Sequence, residues 1–334
     1  MNIYKVLKKQ EFKKAQYSIV PIRAEDRYLI MNWRNEQIYH LRQKAPLTKE
    51  DQDRYFESVV SKLFSCQQPE QILFSYLEGD VCIGYGGLVH INWADGNAEI
   101  SFVMNTELEK EYFNLHWSNF LELIEGLAFK ELSLHKIFTY AFDLRPHLYS
   151  VLESSSFNKE ATLNEHCLFD YEYRDVIIHS KINPLKLRKV TEADTRTIFD
   201  WANESEVRMN SLNQEPIKWE DHLKWFQSKI KDPNSRMFVL EENDSLLGQV
   251  RFDFIDGKWL VNYSIDKNFR GRGFGAVLIK MALKRFENQD FLAKVKRDNI
   301  ASKKVFLGLG FSLNEEVSGE VEEYVLLRNK LISN

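Results

Sequence analysis

The sequence predicts an α/β protein made of two similar domains in tandem, and three observations carry that expectation. Residues 259–311 alternate strand-like and helix-like stretches around a glycine-rich turn. A set of short motifs recurs in the same order in both halves of the chain. At 334 residues, 44% of them apolar, the chain is long enough for two domains that each bury a core.

Taken in order, Met1–Lys14 is charged and lacks an apolar centre, unlike a secretory signal or a membrane span. It reads as a short capping element or a frayed arm. Val20-Pro-Ile-Arg-Ala-Glu-Asp26 reads as a strand and an acidic helix start, and the helix runs to Trp33-Arg-Asn-Glu36. Leu187-Arg-Lys-Val-Thr-Glu-Ala-Asp194 and Trp201-Ala-Asn-Glu204 repeat that arrangement. Downstream, Ile83–Ile91 corresponds to Leu247–Ile255, each after an acidic turn, and Ala98–Met104 corresponds to Trp259–Ile265. This is a tandem duplication. The boundary is expected near Lys181-Ile-Asn-Pro-Leu185, where proline suits a linker, giving domains 1–182 and 185–334. So short a linker predicts halves that pack together, as a monomer of two domains or a homodimer.

In the second half the strand Trp259–Ile265 feeds Arg270-Gly-Arg-Gly-Phe-Gly275, and an amphipathic run Ala276–Phe286 follows. Such a turn aims backbone N–H groups and the positive end of a helix at one spot, which attracts phosphate. Gly271, Gly273 and Gly275 let the chain approach closely, and Arg270 and Arg272 add charge. A short strand, Phe291–Val295, comes next, then a helix over Asn299–Phe311 that stops at glycine. A dinucleotide fold wants its glycines at the start of a βαβ unit and an acidic residue about twenty positions on, and no such repeated parallel unit follows.

Arg270-x-x-Gly273-x-Gly275 resembles the pyrophosphate loop of the GNAT superfamily of acetyl-CoA-dependent N-acetyltransferases, and Asn299-x-x-Ser302-x-x-Val305-Phe306-x-x-x-Gly310-Phe311 is similar to its second motif. The resemblance implies acetyl-CoA as cofactor and, in each half, a mixed, mostly antiparallel twisted sheet flanked by helices. It also implies a cofactor site formed by Tyr263, Ser264 and Ile265 on a splayed strand, by Arg270, Gly271, Arg272, Gly273, Phe274 and Gly275 in the loop, and by Asn299, Ser302 and Phe306. The family often has a tyrosine at the Phe306 position as the acid for the leaving thiolate. A phenyl ring cannot donate a proton, so the thiolate leaves unassisted or Tyr263 or a water supplies the proton.

The first half resembles GNAT proteins of the ribosomal-protein N-acetyltransferase type through Ile22-Arg23, Trp33-Arg34-Asn35, Ala98-Glu99-Ile100 and Arg174-Asp175. Its cofactor loop is missing. Between Met104 and Phe120 there is no glycine, and Glu107, Glu109 and Glu111 stand where phosphate would sit. At the second motif Arg145 replaces the asparagine, Leu148 the small residue and Ser156 the glycine. Three roles stay open for this half: a structural partner, a cleft that holds part of the substrate or a second ligand, or a site active through other contacts.

The acceptor region of the second half is expected around Asn203, Arg208, His222 and Arg251. His222, Asp253 and Glu204 are candidate bases, His222 first because its ordinary pKa lies near neutrality. Trp219, His222 and Phe226 also share a helix face, which fits plain core packing. Arg208 and Arg251 suit a diphosphate on the acceptor or ordinary surface ion pairs. Residues 187–315 resemble the GNAT domains that acetylate amino groups on nucleotide-linked sugars, as in pseudaminic acid synthesis. The expected activity is therefore acetyl transfer to a primary amine of a small molecule, most readily an amino-sugar nucleotide. A protein or peptide N-terminus is the alternative acceptor, and a silent acyl-CoA-binding module the alternative class.

A net charge of −4 gives no reason to expect nucleic acid, and no membrane partner is expected. Cys66, Cys82 and Cys167 have no metal-ligand spacing, so no metal is expected and a reducing cytoplasm suits them.

Overall fold

The computed structural model describes residues 2–315 and 319–327. The chain divides into two compact units, Met1–Asn183 and Pro184–Asn334. The last residues of the expected second domain, 328–334, lie outside the described ones.

The first unit holds strands β1 (Phe12–Lys14), β2 (Tyr17–Pro21), β3 (Ile72–Glu78), β4 (Val81–Asn92), β5 (Asn97–Met104), β6 (Lys136–Phe142), β7 (Asn158–Phe169) and β8 (Glu172–Ile182). Its main helices are α1 (Arg27–Glu36), α2 (Lys49–Tyr55), α3 (Ser61–Leu63), α4 (Thr106–Glu125) and α5 (His147–Ser154). The second unit holds β9 (Leu185–Lys189), α6 (Thr195–Asn203), α7 (Ser205–Asn210), α8 (Trp219–Lys229), β10 (Ser235–Glu242), β11 (Ser245–Ile255) and β12 (Lys258–Ile265). These are followed by α9 (Phe274–Leu283), β13 (Phe291–Lys296), α10 (Ile300–Gly308), β14 (Ser312–Leu313) and β15 (Val321–Leu326).

The strand orders are β1-β2-β3-β4-β5-β6-β8-β7 and β14-β15-β13-β12-β11-β10-β9, so the second sheet repeats the first without its edge strand β1. The expected mixed, mostly antiparallel sheets are present. Each has one parallel pair, β5–β6 or β12–β13. Hairpins such as Asn243-Asp244, between Glu242 and Ser245, close with both residues at positive φ, the twist a two-residue turn needs.

Both parallel pairs are short, and this is the feature that makes a site. Asn97, Ala98 and Glu99 pair with Lys136, Ile137 and Phe138, then the strands part. Trp259, Leu260 and Val261 pair with Phe291, Leu292 and Ala293, then Asn262–Ile265 runs on without β13. Strand edges with unpaired N–H and C=O groups line each gap, ready to accept an extended ligand.

The second sheet is covered on both faces, as strand alternation dictates. Phe238 and Leu240 join Val250, Phe252, Val261 and the α9 residues Val277, Leu278 and Ala282 in one core. Met237 and Val239 point the other way and pack with Ile198, Trp201 and Phe226 of α6 and α8. In the first unit a single core joins Ile19, Phe74, Phe102, Phe120 and Leu152.

The repeated Trp-x-Asn-Glu has a structural reason. Asn203 Nδ2 donates to Ile217 O at 3.0 Å and its Oδ1 accepts from Ile217 N at 2.7 Å. Asn35 does the same to Leu47, at 2.9 and 2.7 Å. Each asparagine thus ties the end of one helix to the residue just ahead of a later one, α1 to α2 and α6 to α8.

Candidate active site

The glycine loop sits where β12 leaves its partner. Gly271 and Gly273 have φ of 75° and 82°, and Gly273 is the residue before α9. Side chains there would adopt a strained left-handed backbone, yet the space a Cβ would fill is open at both positions. A pyrophosphate can therefore come close to the backbone, and the first-turn amides of α9 lack intrahelical acceptors. Phe274 is buried and packs edge-on with Phe269, pinning the loop to the core. These residues fit the cofactor the sequence implies.

Gly275 serves a different contact from the one expected. A Cβ there would lie 3.0 Å from the Tyr263 ring, so this glycine makes room for tyrosine rather than for phosphate. The Tyr263 hydroxyl is 3.2 Å from Ser302 Oγ, and its ring packs edge-on against Phe306 at 5.7 Å. Burial raises the pKa of Tyr263, opposed in part by Ser302, so the phenol keeps its proton at neutral pH. Asn299 Oδ1 caps α10 by accepting from Ser302 N at 3.0 Å. Tyr263, Ser302 and Phe306 therefore meet at the splay. Ser264 and Ile265 continue the same strand beside Gln249 and Gly248 of β11.

The two loop arginines divide their work. Arg270 Nε donates to Ile265 O at 3.0 Å, while its guanidinium makes a bidentate pair with Glu204 at 2.9 and 2.6 Å and reaches Glu206 at 2.6 Å. Its charge is spent on holding the loop to the segment after α6, and it corrects the expectation of a phosphate ligand. Arg272 is exposed, stacked over Phe269 at 5.8 Å, and is the loop cation with no carboxylate partner among the described residues.

The expected acceptor residues are mostly structural. His222 is 2% exposed, with its Nε2 donating to Thr195 O at 3.2 Å among Phe199, Trp225 and Phe226. Burial lowers its pKa, so a neutral ring clamps α8 to α6 and is no base in a cleft. Arg208 is likewise used up: it donates to the carbonyls of Ala202, Asn213 and Glu215 and to Ser211 Oγ, closing the 204–217 segment. Asn203 is spent on Ile217. Asp253 accepts from Lys229 at 2.8 Å and Arg251 at 2.7 Å. Burial pushes its carboxyl up, but the two cations outweigh that and hold it below the usual range, which makes it a weak base. Arg251 also lies over the Trp225 ring at 4.9 Å. Glu204 is tied to Arg270. Sequence reasoning missed Lys229 and the Glu204–Arg270 tie, because each partner lies on a different element.

The same place in the first unit is built otherwise. Asn105 Oδ1 accepts from the Glu107 and Leu108 amides, so the start of α4 is already capped. Glu109 turns inward to a buried ion pair with Arg145 at 2.9 Å, their side chains 9% and 13% exposed. A pyrophosphate does not fit there. The two departures from the family pattern, on α4 and before α5, neutralise each other.

His40 lies 3.9 Å from Glu109, yet burial and Arg145 hold its pKa down to about 3. A group depressed in this way from 6.5 is neutral when folded and protonated when unfolded between those two values. Stability from His40 is therefore full above pH 6.5 and lost as pH falls toward 3. Between pH 7 and 5 the loss should be about 2 kcal/mol in the first unit. Urea melts at both pH values should show it, with a smaller drop for His40→Gln.

Comparison with known proteins agrees with this geometry. Residues 185–312 match the family model of an acetyltransferase (GNAT) domain, and residues 19–178 match a second model of the same description. The chain belongs to the GNAT acetyltransferases, as a tandem of two such domains, and is an acyltransferase that uses acetyl-CoA. Among solved structures it is similar to the spermidine N-acetyltransferase from Vibrio cholerae in complex with CoA and spermine, at 17% identity and a TM-score of 0.46, covering 51% of this chain and 97% of that one. It is also similar to a domain from Methanocaldococcus jannaschii, at 22% identity and a TM-score of 0.38, over 43% of this chain and 97% of that one. No curated protein matches. No helix among the described residues is long and apolar enough to cross a membrane, and none of their His, Cys, Asp and Glu side chains form a group that could hold a metal.

Proposed function

We propose that residues 185–334 form the catalytic domain, transferring acetyl to a primary amine of a small molecule, and that residues 1–182 have given up cofactor binding. The contrast between two equivalent places supports this most: open left-handed glycines before α9, against an Asn105-capped α4 whose first turn carries Glu107 and Glu109. Acetyl-CoA supplies the activated thioester. The chain's part is to hold the phosphates with the 271–275 backbone and Arg272, and to align the rest along Asn262–Ile265. Tyr263 holds a proton beside Ser302 for the leaving thiolate, the role left vacant by Phe306.

Tyr263→Phe is then expected to lower kcat by about 100-fold, the usual scale for one general acid, with little change in KM for acetyl-CoA. Steady-state thiol release measures both constants. A drop in kcat below twofold would remove Tyr263 from this role. No candidate base is free, so the amine reacts once it has lost its proton to solvent, and kcat/KM should rise with pH up to the acceptor's own pKa.

For the acceptor we keep an amino-sugar nucleotide, following the resemblance of residues 187–315; Arg251 gives its Nε to Asp253, and its remaining guanidinium N–H groups would meet a diphosphate. A peptide N-terminus is the second reading. The cytoplasm is the expected compartment, which an exposed Cys66 suits. Thiol release from acetyl-CoA with the full chain and a panel of amino-sugar nucleotides, polyamines and peptides tests this. The expected result is the highest kcat/KM on a nucleotide sugar, falling about tenfold in Arg251→Ala. A preference for polyamines or peptides overturns the acceptor, and no release with any amine overturns the enzyme in favour of a silent acyl-CoA-binding module.

A further inference from the structure

The first unit keeps a cavity of 490 Å³ that nothing above employs, opening from α1 and α2 into the gap between β5 and β6. Its volume is that of a small-ligand site. Phe102, Trp117, Tyr140 and Leu148 give it apolar walls. Two polar groups on those walls lack the partners that burial demands. Thr139, 4% exposed on the free edge of β6, has a buried Oγ1 with no hydrogen-bond partner. Such an orphan costs about 1–3 kcal/mol unless something meets it. Arg34 donates from Nε to Gln43 Oε1 at 3.0 Å and from Nη1 to the Tyr85 hydroxyl at 2.5 Å, both neutral, and has no carboxylate partner among the described residues.

Most of the other charged groups around the cavity have partners, Glu99 with His90 beside it at 3.8 Å as well as Arg42. Arg42 pairs with Glu99 at 2.9 Å and Arg145 with Glu109 at 2.9 Å. His40 is neutral, Asp51 is spent on the α2 cap, and Glu70 is exposed at the mouth. Away from the exposed Glu70, a guanidinium without a carboxylate partner therefore borders a largely apolar space, with an unsatisfied hydroxyl buried just behind the wall.

We infer that this cavity binds a small organic acid, its carboxylate on Arg34, its aromatic or aliphatic body between Trp117, Tyr140 and Leu148, and a polar group at Thr139. This site is separate from the acetyl-CoA loop and does not depend on which amine the second unit acetylates. Coenzyme A itself is a poor occupant, because its phosphates would meet the turn that Asn105 caps and Glu107 borders.

Ligand-observed NMR and calorimetry on the full chain test it, with phenylacetate, cinnamate and hexanoate as probes and their amides as controls. At least one acid should bind, its amide at least tenfold more weakly. Arg34→Met should weaken the acid at least tenfold, and Thr139→Val about threefold or more. The valine variant loses no partner, so its urea melt should match or exceed the parent, which separates lost binding from lost folding. Acetyl-CoA affinity, titrated in parallel, should be unchanged in both variants. The inference is overturned if no acid binds, if the amides bind as well, if Arg34→Met has no effect, or if a second acetyl-CoA per chain competes with the acids. Loss of acetyl-CoA binding by the parent would instead count against the function proposed for residues 185–334.

Discussion

Gly273→Asp is expected to lower acetyl-CoA affinity by about 100-fold or more, the largest loss any single change should cause. Three effects add. A non-glycine residue disfavours the φ of 82° by about 1–2 kcal/mol, so the free loop relaxes away from it and binding must restore it. The side chain enters the space where phosphate approaches, since nothing now lies within 4 Å of a Cβ there. Its carboxylate then repels the anion and occupies the positive end of α9, worth about another 1 kcal/mol. A total near 3 kcal/mol is about 100-fold. Gly273→Ala keeps only the backbone cost and should lose about tenfold. Calorimetry on the full chain reads both, and because the site is open, urea melts should move little. Equal affinity in the aspartate variant would remove the loop from cofactor binding.

Glu109→Ala is the second. It leaves Arg145 buried without its partner, and removing one member of such a pair costs about 3–5 kcal/mol. Burial lowers the Arg145 pKa despite the opposing pull of Glu109, in keeping with a poorly solvated guanidinium. Two units need not unfold together, so the expected readout is an earlier urea transition for part of the signal, with the remainder unmoved. The double change Glu109→Leu with Arg145→Met replaces the pair by apolar volume and should recover most of the loss. If the single variant costs less than 1 kcal/mol, the pair is not what replaces the lost cofactor loop.

The motifs of the proposed cofactor site were legible because they are local. Arg270 to Gly275 and Asn299 to Phe311 each fall within one turn and helix, so residue type and spacing nearly determine geometry. The duplication was legible because the same short motifs recur in the same order in both halves. Roles set by partners far along the chain were not. Arg270 reads as a phosphate ligand until Glu204, 66 residues upstream, takes its guanidinium. Arg208 and His222 look like free chemistry, but carbonyls of Ala202, Asn213, Glu215 and Thr195 claim them. One feature of the sequence does separate these roles. The asparagine of Trp-x-Asn-Glu recurs in the half that has no cofactor loop, which is how a helix-tying residue behaves and a substrate ligand does not.

The measurement that reaches the centre of this account is a crystal structure of the full chain with acetyl-CoA. The pyrophosphate should lie on the 271–275 backbone beside Arg272, with the pantetheine arm along Asn262–Ile265 and the sulfur near the Tyr263 hydroxyl. Acetyl-CoA seated between β5 and β6 of the first unit, with the loop before α9 bare, would contradict it.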